Sequence, residues 1–418
     1  MNDAFTALRQ EAAAVFASSE LPSFKYGLNV FFAPSSVLLP NDVVSGANPD
    51  DLRNHPQDTF GFTDVDSLYA VNDSVGRPGF APRGVSPNNI SSVIAPAEVH
   101  IMLLSEAMAD PRFSEVVRAR LSLADGDRID AWNIASLTDG IFVYVPAGVR
   151  ASSPVRIDVR MTESHRADCT VVLAEAGSTI TIVEHLASEG VDAKLRASRT
   201  EIIALEGAHV THVSVQDFGN TVTSFDRRRA DVASGASVSW TDCAFGGGFV
   251  RSRIATDLSG EGASAGVMGM TFASTSQRFD LRHEVAHLAS RTESAIRTRI
   301  GLDDSAKAIY RSVVRIAPNT VGCVGLQKED TLLLSPDVEI DAMPDLEIGT
   351  GEVRARHSAS AGKLDREKLF YLMSRGLSEQ AAAKTLIDAF FAPIVTEMRH
   401  SGLEDMVECL VAGRLEDK

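Results

Sequence analysis

A small-residue turn returns along the middle of the chain at intervals of 30, 28 and 27 residues: EAGS at Gly177, LEGA at Gly207, ASGA at Gly235 and GEGA at Gly262. Between these turns lie short alternating or β-branched runs such as TVVLAEAGSTITIVEHL, TEIIALEGAHVTHVSV and ASVSW, and the same texture extends from Leu137 to Ile348. Alternation with period two is the mark of a strand with one face covered. Self-similarity near 30 residues is the mark of a solenoid, in which each coil holds two or three strands. Stacking such coils buries a continuous apolar interior that no single coil could bury alone. The competing architecture is a β-sandwich with glycine turns.

The flanks have a different texture. Residues 1 to 20 read as helix, and residues 34 to 100 are rich in Pro, Gly, Asn, Asp and Ser, as in SVGRPGFAPRGVSPNN, which predicts loops. A second helical stretch is expected from Pro96 to Leu121, broken or restarted at Pro111. After Gly362 the pattern is helical throughout. Asp365 is placed to cap one helix and Gly376 to end it, while Ser378 caps the next. In that next helix Leu386, Phe390, Ile394 and Met398 form one stripe, with Phe391 and Val395 beside it and a kink expected at Pro393. A short terminal unit has little interior of its own, so the stripe must dock on the β unit or on another protein. The chain divides as a helical and irregular unit over 1–136, a β core over 137–350 and a helical docking unit over 351–418.

Charge and cysteine usage exclude several functions. The net charge of −16 opposes a nucleic-acid binder that works by phosphate neutralisation, and the basic run Arg227 to Arg229 is too short to reverse it. No apolar run reaches the roughly 18 residues that a spanning helix needs. MNDAFTALRQEAAAVF carries Asp3 and lacks the apolar stretch of a secretory leader, so a cytoplasmic protein is expected. Cys169, Cys243, Cys323 and Cys409 are far apart, which rules out a CxxC metal site. Metal chemistry would need scattered ligands or a partner's.

Several motifs tempt. HEVAH, His283 to His287, matches the zinc-protease pattern, but that chemistry needs a helix. RFDLRHEVAHL alternates as a strand, with Phe279, Leu281, His283, Val285 and His287 on one face and Glu284 on the other. His209 and His212, three apart, would leave a strand on opposite faces. GEGASAG has Ala265 where a dinucleotide fingerprint needs its third glycine, and SAGKLD lacks the rest of a phosphate loop, so ATP hydrolysis is not expected of this chain alone. A β-helical polysaccharide enzyme would carry sugar-stacking aromatics, yet aromatics make up 6% and the tryptophans are Trp132 and Trp240.

The C-terminal block carries a more specific signature. LLLSPDVEIDAMPDLEI and VRARHSASAGKLDREKLFYLMSRGLSEQAA resemble the SufB/SufD family of the SUF iron-sulfur cluster assembly system. The match runs through Leu332 to Ser335, Asp341, Pro344, Leu346 to Ile348, His357, Ala359, Gly362, Asp365, Leu369 to Leu372 and Ser374 to Gly376. Weaker agreement extends the resemblance over about 137 to 398. It implies a right-handed parallel β-helix with helical ends, whose C-terminal helices dock a SufC-type ATPase; the candidate docking residues are Phe370, Tyr371, Leu386, Phe390 and Ile394. The cysteine of SufB-type members falls on Val338, so the chain is most like SufD, with a SufB-type scaffold as the alternative. His357 matches the family histidine near the SufB–SufD interface, implicated in iron or cluster handling. The family's nearby cysteine is Ala355 here and the glycine after the histidine is Ser358, which leaves imidazole as the ligand. The plainer reading is that His357 hydrogen-bonds the turn before the helix. Cys243 and Cys323 are further candidate ligands, although isolated cysteines more often pack as small hydrophobes. A non-catalytic scaffold follows as the expectation, holding iron or a cluster only transiently. Its partners would be a SufB-type subunit and the ATPase, and alone it would pair with a second copy through strand edges.

Overall fold

In the computed structural model, which describes residues 3–19, 25–26, 30–31, 82–85, 91–122, 126–398 and 401–416, the chain from Ile141 onward alternates between two sheets. Between the first and last coils each strand is hydrogen-bonded to the strand two before it and the strand two after it. One sheet has nine strands and the other ten, and the pairings of the coils are parallel. This is a parallel β-solenoid with helices at both ends, as the periodicity and the resemblance implied.

The turn glycines are what allow the coils to stack. Gly177, Gly207, Gly235 and Gly262 have φ of 68°, 65°, 64° and 70°, a region costly for residues with a Cβ. Each donates its backbone N–H to the corresponding turn of the next coil: Gly177 to the carbonyl of Glu206, Gly207 to Ser234, Gly235 to Glu261 and Gly262 to Ser290. Arg291, at φ 58°, takes the same place in the following coil and donates to Val321. That substitution is why the glycine spacing stops being visible after Gly262.

The interior departs from the expected continuous hydrocarbon. An apolar core runs through Val155, Ile182, Ile202, Val238, Val267, Val285 and Val314. Beside it lies an ionic seam. Arg196 bonds Asp168 at 2.8 Å and also Asp226, and Ser198 and Ser224 donate to Asp226 at 2.6 and 2.8 Å. His212 lies 3.3 Å from Glu184. Burial acts to raise the Glu184 carboxyl, but His212, Arg228 and Arg196 outweigh it and hold it below the usual range.

On the outer face of the nine-stranded sheet, register stacks five arginines on consecutive coils: Arg199, Arg227, Arg253, Arg282 and Arg311. Like charges directly opposite repel, and carboxylates flank each one. Arg199 is 2.8 Å from Glu201, Arg227 2.7 Å from Asp130 and Arg253 3.6 Å from Asp127, while Arg282 pairs with Glu284 and Arg311 with Asp280. Asp127 and Asp130 belong to the start of helix α4 (Arg128–Ser136), after α1 (Asp3–Ser18), α2 (Leu104–Ala109) and α3 (Ser114–Arg120). These helices cover part of that sheet, with Trp132, Phe142, Val171 and Phe225 in the shared core.

Three boundaries differ from the sequence reading. The helical stretch expected from Pro96 to Leu121 begins instead with a strand, His100–Leu103; α2 and α3 follow it, and Pro111 lies in the turn between them, where the sequence reading placed the break. The strand pairs antiparallel with Ile141–Val145, and Ser91–Ile94 pairs antiparallel with Val155–Met161, so the N-terminal unit supplies the first edge of each sheet. At the other end the β core passes residue 350: Val353–Lys363 is a full strand paired with Cys323–Leu333. Most of the loop prediction for 34–100 lies outside the described residues. Among the described residues no helix is long and apolar enough to cross a membrane.

The chain ends in α5 (Arg366–Ser374), α6 (Glu379–Glu397) and α7 (Glu404–Glu416). Asp365 caps α5 by accepting from Glu367 and Lys368, Ser378 caps α6 by accepting from Ala381, and Gly376 takes φ 99° after α5, all as the sequence reading placed them. Helix α6 continues through Pro393. Its apolar stripe docks on the chain's own ten-stranded sheet, where Ile387, Phe391, Ile394, Val395 and Met398 pack with Val213, Val215, Cys243, Phe245 and Phe272.

Candidate functional site

The two ends of the solenoid are unlike. Antiparallel strands close the first end, whereas at the second the strands Glu339–Ile348 and Val353–Lys363 are last in their sheets, with no further strand beyond either among the described residues. An edge strand presents unpaired N–H and C=O groups, a template for another chain. His357 lies on the edge strand Val353–Lys363, and its side chain is exposed. This corrects the reading of His357 as part of a polar turn. Val353 and Ala355 pack against the interior core, and by alternation His357 shares their inward parity at the open end.

Beneath it a hydrogen-bonded chain ties the last coils together. Gln327, buried, sits opposite His357 in the ladder. It accepts from the Ser312 hydroxyl at 2.6 Å and donates to the Asp345 carbonyl at 2.8 Å, linking both sheets across the interior. Further in, Thr298 donates to the Tyr310 hydroxyl at 2.9 Å and meets His283 Nδ1 at 3.3 Å. Burial pushes the Tyr310 hydroxyl up to about 12 and His283 down to about 4, so both are neutral here. Two residues along from Gln327 is Glu329, also buried. Its Oε1 accepts from Thr331, and its Oε2 has no hydrogen-bond partner among the described residues. Gln327, Ser312 and Glu329 escaped the sequence reading. The available signal was the alternation in CVGLQKEDTLL, which places Gln327 and Glu329 on the face of Cys323 and Gly325.

The other candidates are scattered. Cys243 is on the outer face of the ten-stranded sheet, under α6, 3.5 Å from the Met398 sulfur, and burial raises its thiol far above the ordinary range. Cys323 faces the interior and is held against the Thr292 hydroxyl at 3.4 Å. The structure does not bring either to His357. Among the described residues no group of three or more His, Cys, Asp or Glu side chains is arranged to hold a metal. HEVAH is a strand, as its alternation predicted: His283 and His287 are buried inside, and Glu284 lies outside beside Arg282.

Of the docking candidates, Phe370 and Tyr371 are 72% and 55% exposed on α5, a helix that buries none of its residues. Arg375 lies over the Tyr371 ring at 5.1 Å. Leu386 and Phe390 are half-buried, and the guanidinium of Arg299 sits 5.1 Å from the Phe390 ring. Ile394 is buried at 3% exposure against the chain's own sheet and offers nothing to a partner in this fold, which corrects its assignment as a docking residue.

The exposed α5 aromatics follow the edge strand directly in sequence, across the turn at Asp365. Residues 159–390 match the family model described as SUF system FeS cluster assembly, SufBD core domain. The chain is similar to iron-sulfur cluster assembly SufBD family proteins of Staphylococcus saprophyticus and Staphylococcus aureus, each 28% identical over 297 residues, which is 70% of this chain and 63% of the relative. The corresponding protein of Staphylococcus epidermidis is 28% identical over 289 residues, 68% of this chain and 62% of the relative. The aligned part spans less than two thirds of the length of these curated relatives. A solenoid of parallel coils, a C-terminal signature seated on its open end, and a family model covering more than half of the residues agree on one conclusion: the chain belongs to the SufBD family of iron-sulfur cluster assembly proteins.

Proposed function

We propose that this chain is a SufD-like scaffold subunit of a SUF complex, non-catalytic itself, that assembles with a SufB-type subunit and a SufC-type ATPase. The observation that carries the reading is the open end of the solenoid, where His357 lies exposed on an unpaired edge strand. A second chain added to that edge would complete the ladder and bring its own ligands to the imidazole. That matches a site in which one chain contributes a single histidine and holds iron or a cluster only in transit. The edges are charged in opposite senses, Glu339, Asp341, Asp345 and Glu347 on one strand and Arg354, Arg356 and Lys363 on the other. Such edges favour a partner of complementary charge, including a second copy of this chain. Val338, where SufB-type members carry cysteine, favours the SufD-like role over the SufB-type one.

The exposed pair Phe370 and Tyr371 on α5 is the face proposed for the ATPase, since exposed aromatics are the usual anchors of an interface. Purification of the chain from its native cells tests the reading. Recovery of both an ATPase subunit and a SufB-type subunit is the expected result. Elution with neither, under conditions that keep other cytosolic complexes intact, would reject it. Light scattering on the isolated chain separately tests self-pairing, for which a strictly monomeric mass is the negative result.

A further inference from the structure

We infer that Glu329 is a proton-operated latch for the terminal strand Val353–Lys363: protonated, it seals the strand onto the solenoid, and ionised, it loosens it. The geometry is that of an acid without a counter-ion among the described residues. Glu329 is 2% exposed and lies on the inward face between Thr298 on one neighbouring strand and Ala359 on the terminal strand. Thr331 donates to one carboxyl oxygen, and the other oxygen, Oε2, is buried with no hydrogen-bond partner among the described residues. Burying an unpaired carboxylate is costly, whereas the neutral acid is tolerated.

The surrounding charges do not relieve it. On the strand Glu293–Leu302 the inward residue is Thr298, and Glu293, Arg297 and Arg299 alternate outward. From the opposite sheet Tyr310, Ser312 and His283 face the interior, while Lys307, Arg311 and Arg315 face out. On Glu339–Ile348 the acidic residues 339, 341, 345 and 347 are on the outward parity. On Glu329's own strand Lys328 and Asp330 point outward and bond each other at 2.9 Å. The terminal strand brings His357 and Lys363 on the inward parity, both exposed. Burial first and Asp330 second push the Glu329 carboxyl up to about 7, against the opposing hydrogen bonds of Thr331 and Ser360.

What covers the acid is the second half of the terminal strand. Val353 and Ala355 pack its first half against the interior core, whereas Ser358, Ala359, Ser360, Ala361 and Gly362 are small and exposed, and the Ser360 hydroxyl bonds Asp330 at 2.7 Å. Opening that strand is therefore the least costly way to hydrate Glu329. For an acid whose closed-state pKa is raised, opening is uncoupled from pH below about 4.5, grows easier as pH rises to about 7, and is independent of pH above that. The same strand is the proposed pairing edge, so pairing would be pH-dependent as well; that corollary rests on the function proposed above, whereas the latch does not.

Hydrogen exchange on the isolated chain tests it without any partner. After division by intrinsic rates, the opening constant of the 353–363 amides should rise on the order of 100-fold between pH 5 and pH 8, while amides of Glu293–Leu302 should not follow. Glu329→Gln, a neutral isostere of the protonated acid, should hold the terminal strand at its low-pH protection throughout. The carboxyl carbon resonance of Glu329, read by NMR, should titrate near neutrality. A flat wild-type profile, an unchanged rise in Glu329→Gln, or titration of Glu329 in the ordinary carboxylate range would each overturn the inference. If Glu329→Gln does not fold, the wild-type exchange profile and the carboxyl titration still decide it.

Discussion

Arg228 Nη1 lies 3.2 Å from Asp242 Oδ1 across the interior of the solenoid, joining a strand of one sheet to a strand of the other with both side chains buried. Ser214 and Ser252 complete the arrangement. Arg228 donates to both, at 3.0 and 3.2 Å, and Ser252 donates to Asp242 at 2.8 Å. A satisfied buried pair of this kind adds little net stability over well-packed hydrocarbon, but half of it is a liability.

Asp242→Leu should therefore destabilise the chain by about 3–5 kcal/mol, because Arg228 is left charged and buried. Arg228→Met combined with Asp242→Leu should recover most of that loss. Urea denaturation of the two single variants and the double variant gives the coupling. Additive effects would show that the pair does not act as a unit.

The turn glycines and the packed glycines should respond differently. Gly235, at φ 64°, has open space where a Cβ would go, so Gly235→Ala carries only the backbone strain, about 1–2 kcal/mol. At Gly246 an added Cβ would collide with the Phe218 backbone. Gly246→Ala should cost more than Gly235→Ala and should raise hydrogen exchange around Phe218.

The buried histidines set an acid limit. His283 and His287 are pushed down to about 4 by burial, with His287 held between Thr292 and Ser294, each at 2.8 Å. The unfolded chain takes up these protons near pH 6.5, so their contribution is intact above that pH and is lost as pH falls from about 6.5 to about 4, by up to about 3 kcal/mol each. Glu329 acts in the opposite sense over an overlapping range, so the comparison must be made against His283→Gln. That variant should lose less stability than wild type between pH 7.5 and pH 5, measured by urea midpoints.

Two phenylalanines near each other in sequence should separate folding from docking. Phe391 is buried against Phe272, with ring centroids 6.1 Å apart, and Phe391→Ala should cost about 3–5 kcal/mol. Phe370 is exposed, so Phe370→Asp should leave the thermal midpoint within the change expected of a surface substitution, about 0.5 kcal/mol. On the proposed function it should abolish capture of the ATPase subunit. Retained capture would move the docking face away from α5.

His357→Ala should leave both the fold and the complex intact, because the exposed imidazole covers nothing, and should lower iron recovered with the complex. Normal iron loading in that variant would return His357 to a structural role.

Much of this was legible in the chain itself. The alternation of RFDLRHEVAHL placed His283 and His287 inside and Glu284 outside, and Asp365, Gly376 and Ser378 marked helix ends, because period and capping depend on backbone geometry within a few residues. The glycine spacing announced a stack of coils for the same reason: the turn repeated in each coil takes a positive φ that glycine adopts at least cost. The C-terminal motif carried the family.

What sequence could not disclose is which residues meet across the coils. Arg228 and Asp242 find each other only once two sheets close around one interior, and the five outward arginines become a column only through register. Glu329 is isolated because of what the neighbouring strands do not present. The stripe of α6 was compatible with the chain's own sheet or with another protein, and tertiary packing chose the sheet for Phe391 and Ile394. Amphipathicity specifies that a face must be covered and is silent on what covers it, since burial depends on distant segments brought together by the fold.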